Sequence, residues 1–117
     1  MTLIPSDYVT IAITVPITHA EHIRDILGRT HAGSMGKYSH CSFSCKGVGR
    51  FLPSAAAHPH IGTRGTLESV EEEYIQTVCH LSYLDAVLEA IKTHHPYEET
   101  VIDIYPIYHN GIKQVRP

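Results

Sequence analysis

Residues 74–107 read YIQTVCHLSYLDAVLEAIKTHHPYEETVIDIYPI. In Tyr74 to Cys79, Tyr74 and Val78 point to one side of an extended chain and Ile75 and Cys79 to the other. That period of two, in residues that favour sheet, predicts a strand over 67–81. Glu68, Glu71, Glu72 and Glu73 cluster at its start and would fit a helix, but the run that follows decides for strand. Ser82 and Asp85 make a capping pair, and Leu84, Val87, Leu88 and Ile91 fall at i, i+3, i+4 and i+7, the clearest helical stripe in the chain. Pro96 stops that helix just after His94 and His95. Val101, Ile102, Ile104 and Ile107 then mark a last strand over 100–107.

Working outward, the N-terminal half repeats the order. Residues 8–15, YVTIAITV, place Val9, Ile11, Ile13 and Val15 on one strand face, and Pro16 ends the strand. Thr18 and Glu21 form a Thr-x-x-Glu capping box, and Ile23, Ile26 and Leu27 give a helix that runs to about Gly28. The glycine-rich stretch 31–38, HAGSMGKY, reads as a loop. A strand is expected over 41–49, with Gly47 and Gly49 predicting a bulge or twist. Residues 51–65, with three alanines, two prolines and two glycines, read as a long excursion between strands. The tail from Asn110 is polar and basic and is expected to fray. The order β-α-β-β-α-β predicts an α+β, ferredoxin-like fold: a four-stranded antiparallel sheet with both helices on one face, in a single domain over 1–117. The opposite face then needs cover, so a homo-oligomer is expected.

Composition narrows the function. Hydrophobic residues make up 43% of the 117 and charged residues 18%, as in a globular chain. The formal net charge is −3, and nine Lys and Arg are scattered, so no electrostatic footprint for nucleic acid or an anionic membrane is present. The longest apolar stretches are broken by threonines and fall far short of the roughly 20 residues of a membrane span. No signal peptide is read at the N-terminus. Three cysteines exclude a fully paired disulfide framework and fit a reducing, cytoplasmic setting. Ten histidines outnumber Lys and Arg together, which points to metal binding or pH sensing.

No dinucleotide fingerprint, P-loop, HExxH, CxxC or GxSxG motif is complete. Three groupings of histidine and cysteine remain. The first is His40, Cys41 and Cys45, in which Cys41 and Cys45 would share a strand face but stand about 13 Å apart, too far for one ion without a bulge. His58-Pro59-His60 lies in the long excursion. His94 to Glu99 (HHPYEE) joins the best helix to the last strand, where a helix C-terminus favours imidazolium and two carboxylates lie nearby. No nucleophile or oxyanion donor accompanies them.

Four blocks together resemble the domain inserted in the middle of YqfO-family proteins, which are related to the NGG-interacting factors. They are Gly33, Gly36, Tyr38, Cys41, Ser42 and Phe43; Gly47, Gly49, Phe51 and Pro53; Pro59, Ile61, Gly62 and Gly65; and His95, Pro96, Tyr97, Glu98 and Glu99. Ala56 stands where that family often has glycine, and His31 replaces a small residue before the glycine loop. The resemblance implies a CutA- and PII-like fold, typically trimeric with ligand clefts between subunits. It also implies that the two-metal centre of the larger proteins lies in flanking halves this sequence lacks, so a hydrolase activity does not carry over.

The resulting expectation is a non-enzymatic, cytoplasmic, trimeric module that binds a small ligand or a divalent metal. His31, Tyr38, Cys41, Tyr97 and Glu99 are the expected ligand contacts. His95 and Glu98 are the expected metal ligands, for zinc or copper, with Cys41 or a neighbouring subunit's histidine completing the shell. The alternatives are a small metal-dependent hydrolase built on His95 and Glu98, and a purely structural oligomerisation domain.

Overall fold

A computed structural model describes residues 2–109; the tail from Asn110 lies outside them. The elements are β1 (Ile4–Pro16), α1 (Ile17–Arg29), β2 (Phe43–Phe51), β3 (Glu68–His80), a single 3₁₀ turn (Leu81–Tyr83), α2 (Leu84–His94) and β4 (Ile102–His109). The sheet order is β2-β3-β1-β4, and each neighbouring pair is antiparallel. This is the expected ferredoxin-like arrangement.

The alternation in β1 decides which face is covered. Val9, Ile11, Ile13 and Val15 are buried with Ile75 and Cys79 of β3, Ala20, Ile23 and Leu27 of α1, and Val87 and Ile91 of α2. Arg24 of α1 pairs with Glu73 on the same side. The other sheet face carries Phe43, Cys45, Tyr74 and Tyr105, all exposed. Phe43 is 70% exposed and Tyr105 52%.

Three local expectations change. The second strand starts two residues later and keeps Phe51, because Cys41 belongs to a closed loop. Cys41 N–H donates to Gly33 O (3.1 Å), and Gly33 N–H donates to Val78 O (2.7 Å). Gly47 and Gly49 make no bulge: the β2–β3 register runs unbroken from Phe43↔Gln76 to Phe51↔Glu68. Neither capping pair forms. The residue preceding α1 is Pro16, without a side-chain cap, and the Thr18 hydroxyl meets His19 Nδ1 (2.9 Å) instead. After β3, His80 Nδ1 accepts from Ser82 N–H (3.1 Å) and caps the 3₁₀ turn, two residues before the expected Ser82, and α2 itself follows Tyr83 without a side-chain cap.

β1 pairs with β3 only as far as Pro16↔Glu72. The β2–β3 ladder continues past that point to Phe51↔Glu68, as a two-stranded arm. The molecule accordingly measures 51 × 31 × 24 Å, with a radius of gyration of 16.2 Å, against about 13 Å for a compact chain of this length. All three cysteines are free.

Candidate functional site

Where the arm leaves the sheet, the turn after α2 folds back over the open face. α2 ends at His94, and His95 is extended (φ −71°, ψ 135°) with its N–H still bonded to Ile91 O. Pro96 follows and has no N–H to continue the helix. The His95 ring turns inward and is 6% exposed. Its Nε2 is 2.8 Å from the Thr14 carbonyl, and its Nδ1 accepts from Tyr97 N–H at 3.1 Å. These partners define the neutral tautomer with the proton on Nε2. Burial holds the His95 pKa below the usual histidine value, against the opposing pull of the Thr14 carbonyl and the Glu72 charge.

Tyr97 reaches the arm. Its hydroxyl donates to Glu72 Oε2 at 3.1 Å. Burial, then the carboxylate beside it, push the phenol well above its ordinary pKa. Glu72 is 7% exposed, a rare position for a carboxylate. Room for it comes from β2: a Cβ on Gly49 would lie 1.5 Å from Glu72 Oε1. The missing side chain of Gly49 thus leaves room for a carboxylate. Phe51 packs edge-on to Tyr97, centroids 6.0 Å apart, and His60 lies 6.5 Å from the same ring.

The long loop closes the other side. Gly65 N–H donates to Pro53 O (2.7 Å) and Arg64 Nε to Ala57 O (2.6 Å), so the loop is braced internally. Glu98 ties it to the turn, its Oε1 accepting from His58 N–H at 2.7 Å. Between loop, arm and turn lies a cleft of about 710 Å³. Phe51, Pro53, Ile61 and Val101 give it an apolar wall; Glu72, Tyr97, Glu98, Glu99 and Arg50 also line it.

The expected site residues divide into two groups. His95, Tyr97, Glu98 and Glu99 gather here. His31, Tyr38 and Cys41 sit at the far end of the sheet. His31 (φ 77°) stacks on Tyr83 at 4.7 Å, Tyr38 is exposed in a small turn with Met35, and the Cys41 carbonyl accepts from Thr77 Oγ1 at 2.7 Å. Along β3, Thr77, which bonds the Cys41 carbonyl, stands three positions from Tyr74, the partner of the Thr14 that holds His95, about 10 Å of strand. Within one chain, Cys41 therefore cannot complete a shell around His95. Both His95 nitrogens are already engaged, and one Glu98 oxygen holds the loop. Among the described residues, no three His, Cys, Asp or Glu side chains are placed to hold an ion together. Sequence reasoning missed Glu72, Gly49 and Phe51 as parts of one site. The signal for Glu72 was parity: it faces the glycine-bearing side of β2, whereas Glu71 and Glu73 do not.

No family model matches the chain. It is 45% identical over 97 residues to a protein of Bacillus subtilis (strain 168) named GTP cyclohydrolase 1 type 2 homolog, covering 83% of this chain and 26% of that protein. The protein of the same name from Halalkalibacterium halodurans is 42% identical over 101 residues, covering 86% and 27%. The chain thus spans about a quarter of the length of the curated relatives it matches. Among solved structures, a Bacillus cereus protein related to NIF3 superposes with a TM-score of 0.74 at 39% identity, covering 92% of this chain and 27% of that one. The periplasmic divalent cation tolerance protein CutA of Archaeoglobus fulgidus gives 0.63 at 21% identity, covering 91% and 88%, a likeness of fold alone.

Proposed function

We propose that a chain built like one module of the longer NIF3-related proteins is a non-catalytic, homotrimeric small-molecule-binding unit, with the cleft beside Tyr97 as its binding site. The observation that carries the reading is the buried Glu72, bonded to half-buried Tyr97 and seated over Gly49 at the wall of the cleft. A carboxylate held out of water in a largely apolar recess is costly unless it is hydrogen-bonded, so it marks where a donor is received. The ligand that suits it has a flat apolar body, to lie against Phe51 and Val101, and a protonated amine or similar donor for Glu72 and the rim carboxylate of Glu99.

In this reading Tyr97 and Glu99 contact the ligand, while His95 and Glu98 shape the cleft. A zinc or copper ion on His95 would first have to displace the Thr14 and Tyr97 bonds. His31, Tyr38 and Cys41 belong to another surface, one that a neighbouring subunit could cover. The chain carries no cyclohydrolase chemistry of its own in this reading, and it works in a reducing, cytoplasmic setting.

The test is amide chemical-shift mapping of the full chain against a panel of small aromatic and aliphatic amines. A binder is expected to move Gly49, Phe51 and Tyr97, and to lose affinity in Glu72→Gln, which keeps the shape and removes the charge. Binders that move only residues 31–41, or that bind Glu72→Gln as well as wild type, overturn the reading.

A further inference from the structure

Two histidines from different helices meet on the solvent side of the α1–α2 seam, apart from the cleft. His22 Nε2 and His94 Nδ1 stand 3.3 Å apart, with ring planes at 72° and centroids 5.2 Å apart. Both side chains are exposed, but the backbone beneath them is anchored. Ile23, beside His22, and Ile91, one turn before His94, are fully buried in the core.

We propose that His22 and His94 form a two-nitrogen chelate for a borderline divalent cation, zinc or copper, with water in the remaining positions. Four-coordinate zinc with Zn–N bonds of about 2.0–2.1 Å has a nitrogen–nitrogen edge of about 3.3–3.4 Å, the separation found here. Without metal the two neutral rings share one proton between the facing nitrogens. With metal, His22 ligates through Nε2 and carries its proton on Nδ1, and His94 ligates through Nδ1 and keeps its proton on Nε2. Each ring remains neutral, so the ion's charge is not opposed by imidazolium. His94 also closes the last turn of α2, where the helix dipole favours a cation.

The neighbouring groups leave the chelate at two protein ligands. His19, one turn earlier on α1, is bonded through Nδ1 to Thr18, and its ring packs edge-on to His60 at 5.3 Å. Asp25, one turn later, pairs with Arg29 at 2.8 Å. The packing of both helices on the sheet holds the pair in place, which is the preorganisation such a site needs.

The full chain, stripped with a chelator, is titrated with zinc alone and with copper alone, by calorimetry and by the electron paramagnetic resonance of bound copper. One ion per chain is expected, with nitrogen hyperfine structure from two imidazoles. His22→Ala and His94→Ala should each weaken it about a hundredfold, because either leaves a single ligand where two were linked. The double variant should be little weaker than either single one. His22→Gln and His94→Gln, whose metal-free melting should match wild type, separate loss of ligand from loss of fold. Absence of stoichiometric binding in wild type, or wild-type affinity and spectrum in all four single variants, overturns the proposal. Neither outcome touches the cleft, whose test follows Glu72 and an organic amine.

Discussion

At the scale of single residues, Gly49 and Glu72 explain each other. Moving the Glu72 carboxylate aside for a Cβ at position 49 would break its bond to Tyr97 and disturb a buried charge. Gly49→Ala should therefore destabilise the fold by about 1–3 kcal/mol. Gly47, two residues away in the same strand, has nothing within 4 Å of its would-be Cβ. Gly47→Ala should be neutral or stabilise by about 0.5–1 kcal/mol, as strand propensity favours alanine over glycine. Urea midpoints of the two variants read the contrast directly, and equal midpoints would remove the special role of position 49. His95 supplies a pH dependence of definite sign. Its folded pKa lies below the unfolded value because burial disfavours the cation. Above the ordinary value of about 6.5 both states are neutral and nothing is lost; below it the unfolded chain gains a proton that the folded ring resists. Stability should fall as pH drops from about 6.5, until the folded ring itself titrates. In His95→Gln that slope should be shallower, measured by urea unfolding at pH 7.5 and 5.5; an unchanged slope would take His95 out of the acid response.

At the scale of elements, periodicity was a sound guide and capping chemistry was not. The alternation of Val9, Ile11, Ile13 and Val15 and the stripe of Val87 and Ile91 survive because burying an apolar face outweighs local preference. Caps are worth about 1 kcal/mol each and yield to chain path. β1 runs straight through Pro16 into α1, which leaves Thr18 inside the helix, where its hydroxyl meets His19. Before the next helix β3 ends on His80, whose ring caps the intervening 3₁₀ turn at Ser82 N–H. Thr18→Ala should change stability by less than about 0.5 kcal/mol, and His80→Ala should cost about 0.5–2 kcal/mol. Thermal unfolding of the pair decides between this arrangement and the Thr-x-x-Glu box, which demands the reverse order. The site was half legible for a related reason. HPYEE announced itself by a proline stop beside histidine and carboxylates. Glu72 was hidden in an acidic run, because only strand parity against Gly49 distinguishes it from its neighbours. The separation of Cys41 from His95 depends on where the loop after α1 bonds along β3, which no local pattern encodes.

At the scale of the whole molecule, the described chain leaves part of one sheet face bare and the edges of a strand arm unpaired. Phe43 and Tyr105 stand exposed on that face, at opposite edges of the sheet, with Tyr74 between them on β3. The arm extends beyond Pro16↔Glu72, and among the described residues no third strand lies beside it. Isolated two-stranded ribbons are marginal in water, and free edges invite pairing. Both features are resolved together if copies of the chain associate through open faces with each arm laid on a neighbour, which closes a ring when the contact is heterologous. Light scattering is then expected to give three times the 13.0 kDa chain mass, and the melting temperature should rise with protein concentration. Phe43→Asp combined with Tyr105→Asp places charge on the face without touching the helix-side core, so the chain should still fold. Its mass should fall towards one chain, and its melting temperature should lose the dependence on concentration. Wild-type protein that stays at one chain mass at micromolar concentration would mean that the arm and the open face are stable in water by themselves. A variant still three chains in size would place the contact elsewhere, on the edges of β2 and β4 and not on the face between them.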